Sequence, residues 1–135
     1  MISVATIEAL ETSSLPRSET LWGKEFFVLG GDGASVTVKI IWVNPGARLS
    51  LQSHERRDEQ WTILSNHGGM VSIETPSGAL LGDSAQRGAV HRVRKTARHR
   101  LAAPSDHPLV VLEVAFGKFD QSDIKRYEDD YGRAG

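Results

Sequence analysis

Short runs of alternating apolar and polar residues, separated by turn residues, make up most of the chain after residue 25. In residues 36–42 an apolar residue returns at every second position, which is typical of a β-strand. Residues 109–114 are rich in Val and Leu and are also strand-like. Clusters that combine Gly with Pro, Asn or Asp at 30–33, 44–46 and 75–78 mark turns between such runs. Regular short strands with turn signals predict an all-β sandwich or small barrel.

The two ends of the chain and one basic stretch lack this clear pattern. Residues 1–20 include a Ser-Ser-Leu-Pro break at 13–16, and we predict an arm or short helix there, followed by one domain at residues 21–135. Residues 87–100 fit either a helical stripe or strands, and we favour strands. Residues 120–135 have mixed charge and two tyrosines, and we predict a short helix or turn.

Length, composition and charge restrict the class of protein. A chain of 135 residues is most simply one domain, and a net charge of -1 gives no bulk basicity that would indicate nucleic acid. The basic run at 87–100 also lacks interleaved aromatic residues, so we expect no RNA partner. The absence of cysteine excludes disulfides and thiolate metal sites, and it fits a reducing cytoplasm. No signal peptide or membrane span is visible in the sequence.

Candidate metal ligands are concentrated in residues 45–61. If residues 49–54 form a strand, the side chains of Gln52 and His54 project to the same side. Glu59 joins them if the next strand lies alongside. An imidazole with oxygen ligands suits a divalent first-row metal such as Zn, Mn, Fe, Co or Ni. Three candidate ligands leave the site incomplete.

Several segments resemble the cupin domain of type II mannose-6-phosphate isomerases, which also occurs at the C-terminus of bifunctional mannose-1-phosphate guanylyltransferases. These segments are Trp-Gly-Lys at 22–24, Leu-Ser-Leu-Gln-x-His at 49–54, Glu-x-Trp at 59–61, His-Arg-Leu at 99–101, Pro-Leu-x-x-x-Glu-Val at 108–114 and the stretch 123–133. The resemblance covers most of the chain. It implies an all-β cupin fold, a double-stranded β-helix or jelly-roll barrel with a metal site inside and, here, short terminal helical segments.

The first general cupin motif is Gly, five residues, His-x-His, four residues, Glu, six residues, Gly. Counted from Gly46, it places Gln52 and His54 at the two histidines and Glu59 at the glutamate. Asn66 falls on the final glycine, and because Asn tolerates positive φ we expect that conformation there. The glutamine is compatible with a metal site, since its carbonyl oxygen can coordinate.

The second cupin motif, counted from Gly88, supplies the fourth ligand that the resemblance implies. Its Pro, Gly, His and Asn fall on Arg94, Thr96, His99 and Ala103. The histidine is therefore kept, while the turn residues are replaced, which suggests an altered loop beside the site. His91 is a rival ligand because it also follows Gly88. The agreement downstream of His99 favours His99.

The resemblance also suggests residues that contact substrate. Arg56, Arg100 and Arg133 are candidate contacts for a substrate phosphate. Arg56 has the strand parity of the proposed ligands, although a solvated loop residue is an equal alternative, and Arg100 is otherwise a surface strand arginine. Lys39 and Glu113 are candidate catalytic groups, the second as a base or as a residue that orients a ligand.

The resemblance implies a sugar-phosphate isomerase with one divalent metal, acting on mannose 6-phosphate and fructose 6-phosphate or on a related sugar. Two alternatives remain: a non-catalytic cupin that binds a sugar or small acid, and a cupin enzyme of different chemistry such as an oxygenase or cyclase. No Gly-rich phosphate loop precedes the matched stretch, so guanylyl transfer is not expected. We expect a cytoplasmic homodimer whose partner is a small sugar or sugar phosphate, with no nucleic acid and no membrane.

Overall fold

The computed structural model describes residue 9 and residues 13–134, and these form two antiparallel β-sheets. Along the chain the strands are β1 (Arg17–Glu19), β2 (Gly23–Leu29), β3 (Val36–Val43), β4 (Leu51–Ser53), β5 (Asp58–Ile63), β6 (Met70–Glu74), β7 (Leu80–Ser84), β8 (Val90–Val93), β9 (His99–Ala102), β10 (Leu109–Phe116) and β11 (Lys125–Glu128). One sheet has the order β1-β2-β3-β10-β5-β8 and the other β11-β4-β9-β6-β7. The chain therefore crosses repeatedly between two facing sheets, as in a jelly roll, and the all-β prediction is confirmed.

Side-chain alternation divides the interior between the sheets into an apolar end and a polar end. On β3 the inward residues run from Val43 and Ile41, which belong to the hydrophobic core, to buried Lys39. On the neighbouring β10 they run from Val111, also in the core, to buried Glu113. The antiparallel register places Val111 beside Ile41 and Glu113 beside Lys39. A packed apolar core at one end of the barrel thus supports charged groups at the other.

The segments without a clear sequence pattern also form strands. Residues 87–100 contain β8 and lead into β9, so the strand interpretation is correct and the helical stripe is not. The tail forms β11 where we predicted a short helix or turn, because pairing with β4 satisfies the backbone groups of that strand's outer edge. Of the predicted N-terminal arm, residues 1–8 and 10–12 lie outside the described residues, and β1 pairs with β2. Within the described part of the chain, no helix is long and apolar enough to span a membrane.

The turn before β9 contains an unusual backbone conformation. Thr96, which occupies the glycine position of the second cupin motif, has φ = 66° and is the single described residue other than glycine with positive φ. Its amide donates a 2.8 Å hydrogen bond to the carbonyl of His54. The prediction for Asn66 is wrong, since positive φ occurs instead at Gly68 and Gly69, two and three residues further on. Because the chain turns at these two glycines, Asn66 does not have to adopt a strained positive φ.

Thr96→Gly is expected to stabilise the protein. A β-branched residue in the left-handed region costs roughly 1–2 kcal/mol. Glycine removes that strain but adds about 0.4–1 kcal/mol of unfolded-state entropy. The net gain in the free energy of unfolding is therefore about 0.5–1 kcal/mol, measured by urea denaturation of the metal-free chain. Thr96→Ala, which keeps a Cβ atom, is the matched control and should gain less. A glycine variant less stable than the native chain would contradict the assignment of strain.

Candidate metal centre and its cavity

Three buried side chains converge at the polar end of the barrel. His54 follows the last residue of β4, Glu59 lies on β5, and His99 begins β9. The Nε2 atoms of His54 and His99 are 3.2 Å apart. Glu59 reaches both, with its Oε1 at 3.3 Å from Nε2 of His99 and its Oε2 at 3.7 Å from Nε2 of His54. One potential ligand atom from each residue thus lies within 4.8 Å of the others.

Hydrogen bonds determine which ring nitrogen of each histidine is free. Nδ1 of His54 lies 2.7 Å from the carbonyl oxygen of Asp123, and Nδ1 of His99 lies 2.9 Å from that of Ala97. Because a carbonyl oxygen can only accept, each Nδ1 carries the proton and each Nε2 keeps a lone pair. Two lone pairs that face each other at 3.2 Å cannot hydrogen-bond, and Oε1 of Glu59 is buried without a hydrogen-bond partner. These three donor atoms fit a divalent cation.

The protonation states of the cluster follow mainly from burial. Burial, with His99 and Arg57 nearby, lowers the pKa of His54 to about 3. Burial likewise lowers the pKa of His99 to about 4, so both rings are neutral at pH 7 and available as ligands. Burial and the neighbouring Glu113 raise the pKa of Glu59 above its usual range. A bound cation would reverse that effect, since it favours the carboxylate.

Gln52 lies beside the cluster but turns its amide nitrogen toward it. This half-buried residue of β4 has its Nε2 at 3.5 Å from Nε2 of His54. Its carbonyl oxygen, the atom that would bind a metal, accepts a 2.7 Å hydrogen bond from Ser50 Oγ. A half-turn of the amide exchanges the two atoms and lets the Ser50 hydroxyl accept instead. After such a half-turn the carbonyl oxygen of Gln52 would face the three convergent groups.

Arg57 is a site residue that the sequence reasoning missed. Its Nε lies 3.2 Å from Oε2 of Glu59, and its Nη2 lies 3.3 Å from Nε2 of His54. The guanidinium also donates a 3.2 Å hydrogen bond to the Asp120 carbonyl oxygen, and it lies over the Phe119 ring, whose centroid is 4.4 Å away. Arg57 lies immediately before β5 and precedes Glu59 by two residues, so continuing the alternation of β5 by one residue places both side chains on the same face. The two-residue spacing from Glu59 was the sequence signal that could have identified Arg57.

Arg56 does not take the position that its strand parity suggested. Its side chain is exposed and lies outside the residues that line the cavity. The reason is that β4 ends at Ser53, so the alternation that relates Gln52 to His54 does not continue through the following turn. The residue in the site is its neighbour Arg57.

Two members of the cluster, His54 and Glu59, line a cavity of about 620 Å³. Other walls include Glu25, Lys39, Gln52, Arg57, Trp61, Glu113, Arg126 and Arg133. Lys39 Nζ lies 2.7 Å from Glu25 and 3.5 Å from Glu113 Oε2, and Trp61 Nε1 donates a 3.0 Å hydrogen bond to Glu113 Oε1. Lys39 and Glu113, the two candidate catalytic residues, therefore both face the cavity.

Lys39 and Glu113 each stabilise the charged form of the other. Burial opposes charge on Lys39, but Glu113 and Glu25 outweigh it and raise the pKa of the ammonium group. Burial also opposes charge on Glu113, but Lys39 and the Trp61 hydrogen bond hold its pKa below the usual range. Lys39 is therefore a cation and Glu113 a carboxylate, and Oε2 of Glu113 has no hydrogen-bond partner.

The remaining predicted residues lie in different surroundings. Arg100 faces away from the cavity, because it follows His99 in the strand, and it binds the Leu49 carbonyl at 2.8 Å and Glu128 at 3.2 Å. Arg133 lines the cavity and is paired with Asp129 at 2.7 Å. His91, the rival ligand, lies on β8, outside the cluster that contains His99.

Comparison with known proteins agrees with this architecture. The sequence profile of the family described as mannose-6-phosphate isomerase C-terminal matches residues 17–129. The alginate biosynthesis protein AlgA of Pseudomonas aeruginosa is 38% identical over 102 residues, which are 75% of this chain and 20% of that protein. The xanthan biosynthesis protein XanB of Xanthomonas campestris pv. campestris is 34% identical over 130 residues, which are 91% of this chain and 27% of that protein.

A solved structure supports the fold independently of close sequence similarity. The cupin-2 domain protein Rru_A2000 of Rhodospirillum rubrum superposes with a TM-score of 0.65 at 15% identity, covering 81% of this chain and 78% of that one. The cupin fold is therefore confirmed. The chain spans only 20% to 27% of the length of the two curated relatives. With most of its length matched by one profile, the chain belongs to the mannose-6-phosphate isomerase C-terminal family of cupin domains.

Proposed function

We propose that this chain is a metal-dependent cupin isomerase that interconverts mannose 6-phosphate and fructose 6-phosphate, or a closely related pair of sugar phosphates. The observation that carries the proposal is the convergence of the two unprotonated Nε2 atoms of His54 and His99 with the unpartnered Glu59 oxygen, beside a cavity that His54 and Glu59 line. A volume of about 620 Å³ is within the usual range for small-molecule sites and accommodates a hexose phosphate. Family membership supports the sugar-related chemistry.

The isomerisation requires one proton to move between adjacent carbons and another between their oxygens. A divalent metal held by Gln52, His54, Glu59 and His99 would polarise the carbonyl oxygen of the substrate. Glu113 is the group we assign as the base, since its residue lines the cavity and its Oε2, an ion-pair partner of Lys39, accepts no hydrogen bond. It would take the proton from C2 of the aldose and return it to C1. Lys39 keeps that carboxylate ionised.

Arg57 favours a second candidate function. Its guanidinium is a fixed buried cation that already contacts His54 and Glu59. In a non-catalytic cupin, this charge would satisfy the two ligand residues without a metal and would attract an anionic or polar sugar. The isomerase would bind a metal and the non-catalytic cupin would not, so a metal analysis distinguishes between them.

The test is a metal analysis of chain purified without chelator, followed by an isomerase assay with mannose 6-phosphate. We expect near one equivalent of divalent metal, with activity lost on chelation and restored by metal. Glu113→Gln should keep the metal and lower kcat by roughly 10²-fold or more, as expected for loss of a general base. Lys118→Met, an exposed change, is the control for handling.

Two results would count against the isomerase, and a third against the role of Glu113 in it. A chain that neither holds nor takes up metal is the non-catalytic binder. A metal-loaded chain that isomerises no hexose phosphate has a different cupin chemistry. Full activity of the Glu113→Gln variant would remove Glu113 from the role of base while leaving the isomerase intact.

A further inference from the structure

We propose that Asp123 is a positioning residue of the metal centre, and that through it the connecting segment between β10 and β11, residues 117–124, takes part in metal binding. The inference rests on the metal site of the proposed function and not on its sugar-phosphate chemistry. Asp123 was not among the candidate site residues that the sequence suggested, since it lies 69 positions from His54 along the chain.

His54 is held differently from the other two potential ligands. Glu59 lies inside β5, which pairs with β8 and β10, and His99 lies on β9, which pairs with β4 and β6. His54 comes after Ser53, where β4 ends, so it lies outside the strands. A hydrogen bond from the Thr96 amide fixes its carbonyl oxygen but not its ring. The direction of the ring must therefore be set by contacts outside the two sheets.

Three hydrogen bonds join Asp123 to the turn that begins at His54. The carbonyl oxygen of Asp123 lies 2.7 Å from Nδ1 of the His54 ring and accepts a hydrogen bond from it. The two carboxylate oxygens accept the backbone amides of Glu55 at 2.9 Å and of Arg56 at 3.1 Å, one on each oxygen. The main chain and the side chain of one residue thus hold both the ring and the two amides that follow it. A shift of Asp123 would redirect the Nε2 lone pair of His54.

The rest of the connecting segment packs against the same turn. Gly117 has φ = 119°, and a Cβ atom there would collide with the carbonyl oxygen of Arg56, so the two backbones approach closely. The Asp120 carbonyl oxygen accepts a 3.2 Å hydrogen bond from Arg57, whose guanidinium lies over the Phe119 ring. Contacts along most of the segment therefore tie it to the turn that carries His54.

The connecting segment also forms part of the cavity wall. Gln121 and Ile124 line the cavity together with His54. Metal binding requires one orientation of the His54 ring, and the hydrogen bond at Nδ1 links that orientation to the position of Asp123. Because such coupling is reciprocal, a well-held segment strengthens metal binding, and bound metal stabilises the segment. Metal loading should therefore also fix this part of the cavity wall.

The experiment measures metal binding without catalysis. Metal-free full-length chain is titrated with Co²⁺ against a competing chelator, and the visible absorption of the bound Co²⁺ reports its ligand geometry. Asp123→Ala removes both acceptor oxygens and should weaken Co²⁺ binding about 10–100-fold, the range for loss of a residue that supports a metal ligand. Its absorption spectrum should change as well, because the His54 ring is no longer held in one direction. Urea denaturation of the metal-free chains measures stability separately.

Asp32→Asn is the matched control. The Asp32 carboxylate accepts the amide of Gln121 at 3.2 Å, so this bond also holds the connecting segment but does not end on the turn at His54. Its Co²⁺ affinity and spectrum should be native. If Asp123→Ala does not fold, Asp123→Asn decides, because it keeps one acceptor oxygen, and a severalfold loss of affinity is expected.

Hydrogen exchange tests the reciprocal effect in the native chain. Saturating Zn²⁺ should slow exchange of the amides of Glu55 and Arg56, which the Asp123 carboxylate binds. In Asp123→Ala the same addition of Zn²⁺ should protect these amides much less. Exchange of both amides that does not respond to Zn²⁺ in the native chain would contradict the coupling.

The outcomes separate this inference from the proposed function. Native Co²⁺ affinity and spectrum in the Asp123 variants overturn the positioning role, even if the variants are less stable, while the proposed function stands. An equal loss of affinity in Asp32→Asn also overturns it, since the effect would then be general loosening of the segment. Co²⁺ binding that depends on Asp123, without isomerisation of mannose 6-phosphate, supports the positioning role and contradicts the proposed function. A native chain that takes up no metal contradicts both.

Discussion

His99→Ala is expected to abolish tight metal binding. The side chain supplies one of two buried Nε2 lone pairs that converge at 3.2 Å, with Glu59 beside them. Loss of a residue that only supports a ligand already lowers metal affinity about 10–100-fold. Loss of the ligand itself should exceed that range. Metal content of the purified variant, followed by competition with a chelator of known affinity, measures the change.

His91→Ala is the matched control for this experiment. His91 is the other histidine that follows Gly88, and it lies on β8, where it pairs with Trp61. It is absent from the cluster of potential ligands that His99 completes. The His91 variant should therefore retain native metal content. Loss of metal in His91→Ala together with retention in His99→Ala would show that the second motif had been aligned to the wrong histidine.

Lys39→Met is expected to destabilise the fold strongly. The ammonium group is buried between Glu25 at 2.7 Å and Glu113 at 3.5 Å. Without it, the carboxyl groups of Glu25 and Glu113 lose their shared cation, and Arg57 is the other described cation that lowers the pKa of Glu113. Removing one partner of a buried ion pair typically costs about 3–5 kcal/mol. Urea denaturation of the metal-free chain measures the loss.

A double variant separates charge from packing at the same position. Lys39→Met with Glu113→Gln removes the cation and one of the carboxylates it neutralises, so it should recover part of the stability. The control Lys118→Met changes an exposed lysine and should stay within about 0.5 kcal/mol of native. Equal stability of Lys39→Met and the native chain would contradict a neutralising role for Lys39.

The alternation of apolar residues predicted where strands lie, but it did not predict which face of a strand is buried. Residues 36–42 form most of β3, as predicted. The inward face, however, carries Thr37 and Lys39 next to the core residue Ile41, whereas Val36 is exposed and Val38 half-buried. The reason is the polar cavity, because a strand that lines it turns charged groups inward. Periodicity alone cannot distinguish such a face from a solvent face.

Strand parity predicted that the first candidate ligands lie close together, and it did not apply beyond the end of the strand. Gln52 and His54 project together because both belong to one local run, and Glu59 meets them from β5. When the alternation of β4 is continued past Ser53, it predicts that Arg56 faces the site. Counting back two residues from Glu59 would instead have predicted Arg57. The rule holds within one strand and does not extend across a turn.

The position of Arg126 in the cavity could not be predicted from the local sequence pattern. Its place in the cavity depends on the pairing of β11 with β4, which joins residues more than seventy positions apart. No periodicity within the tail reports that contact. The family resemblance covered this stretch and suggested Arg133, with Arg56 and Arg100, as phosphate contacts, but it did not indicate that Arg126 lines the cavity.

The most direct test of the metal centre is anomalous diffraction from crystals of the chain loaded with one divalent metal. The proposed ligand set predicts a single strong anomalous peak about 2.0–2.2 Å from Nε2 of His54, Nε2 of His99 and a carboxylate oxygen of Glu59. Both Nδ1 atoms should still be bonded to the carbonyls of Asp123 and Ala97. A metal bound through Nδ1 or His91, or no peak at this cluster, would contradict it.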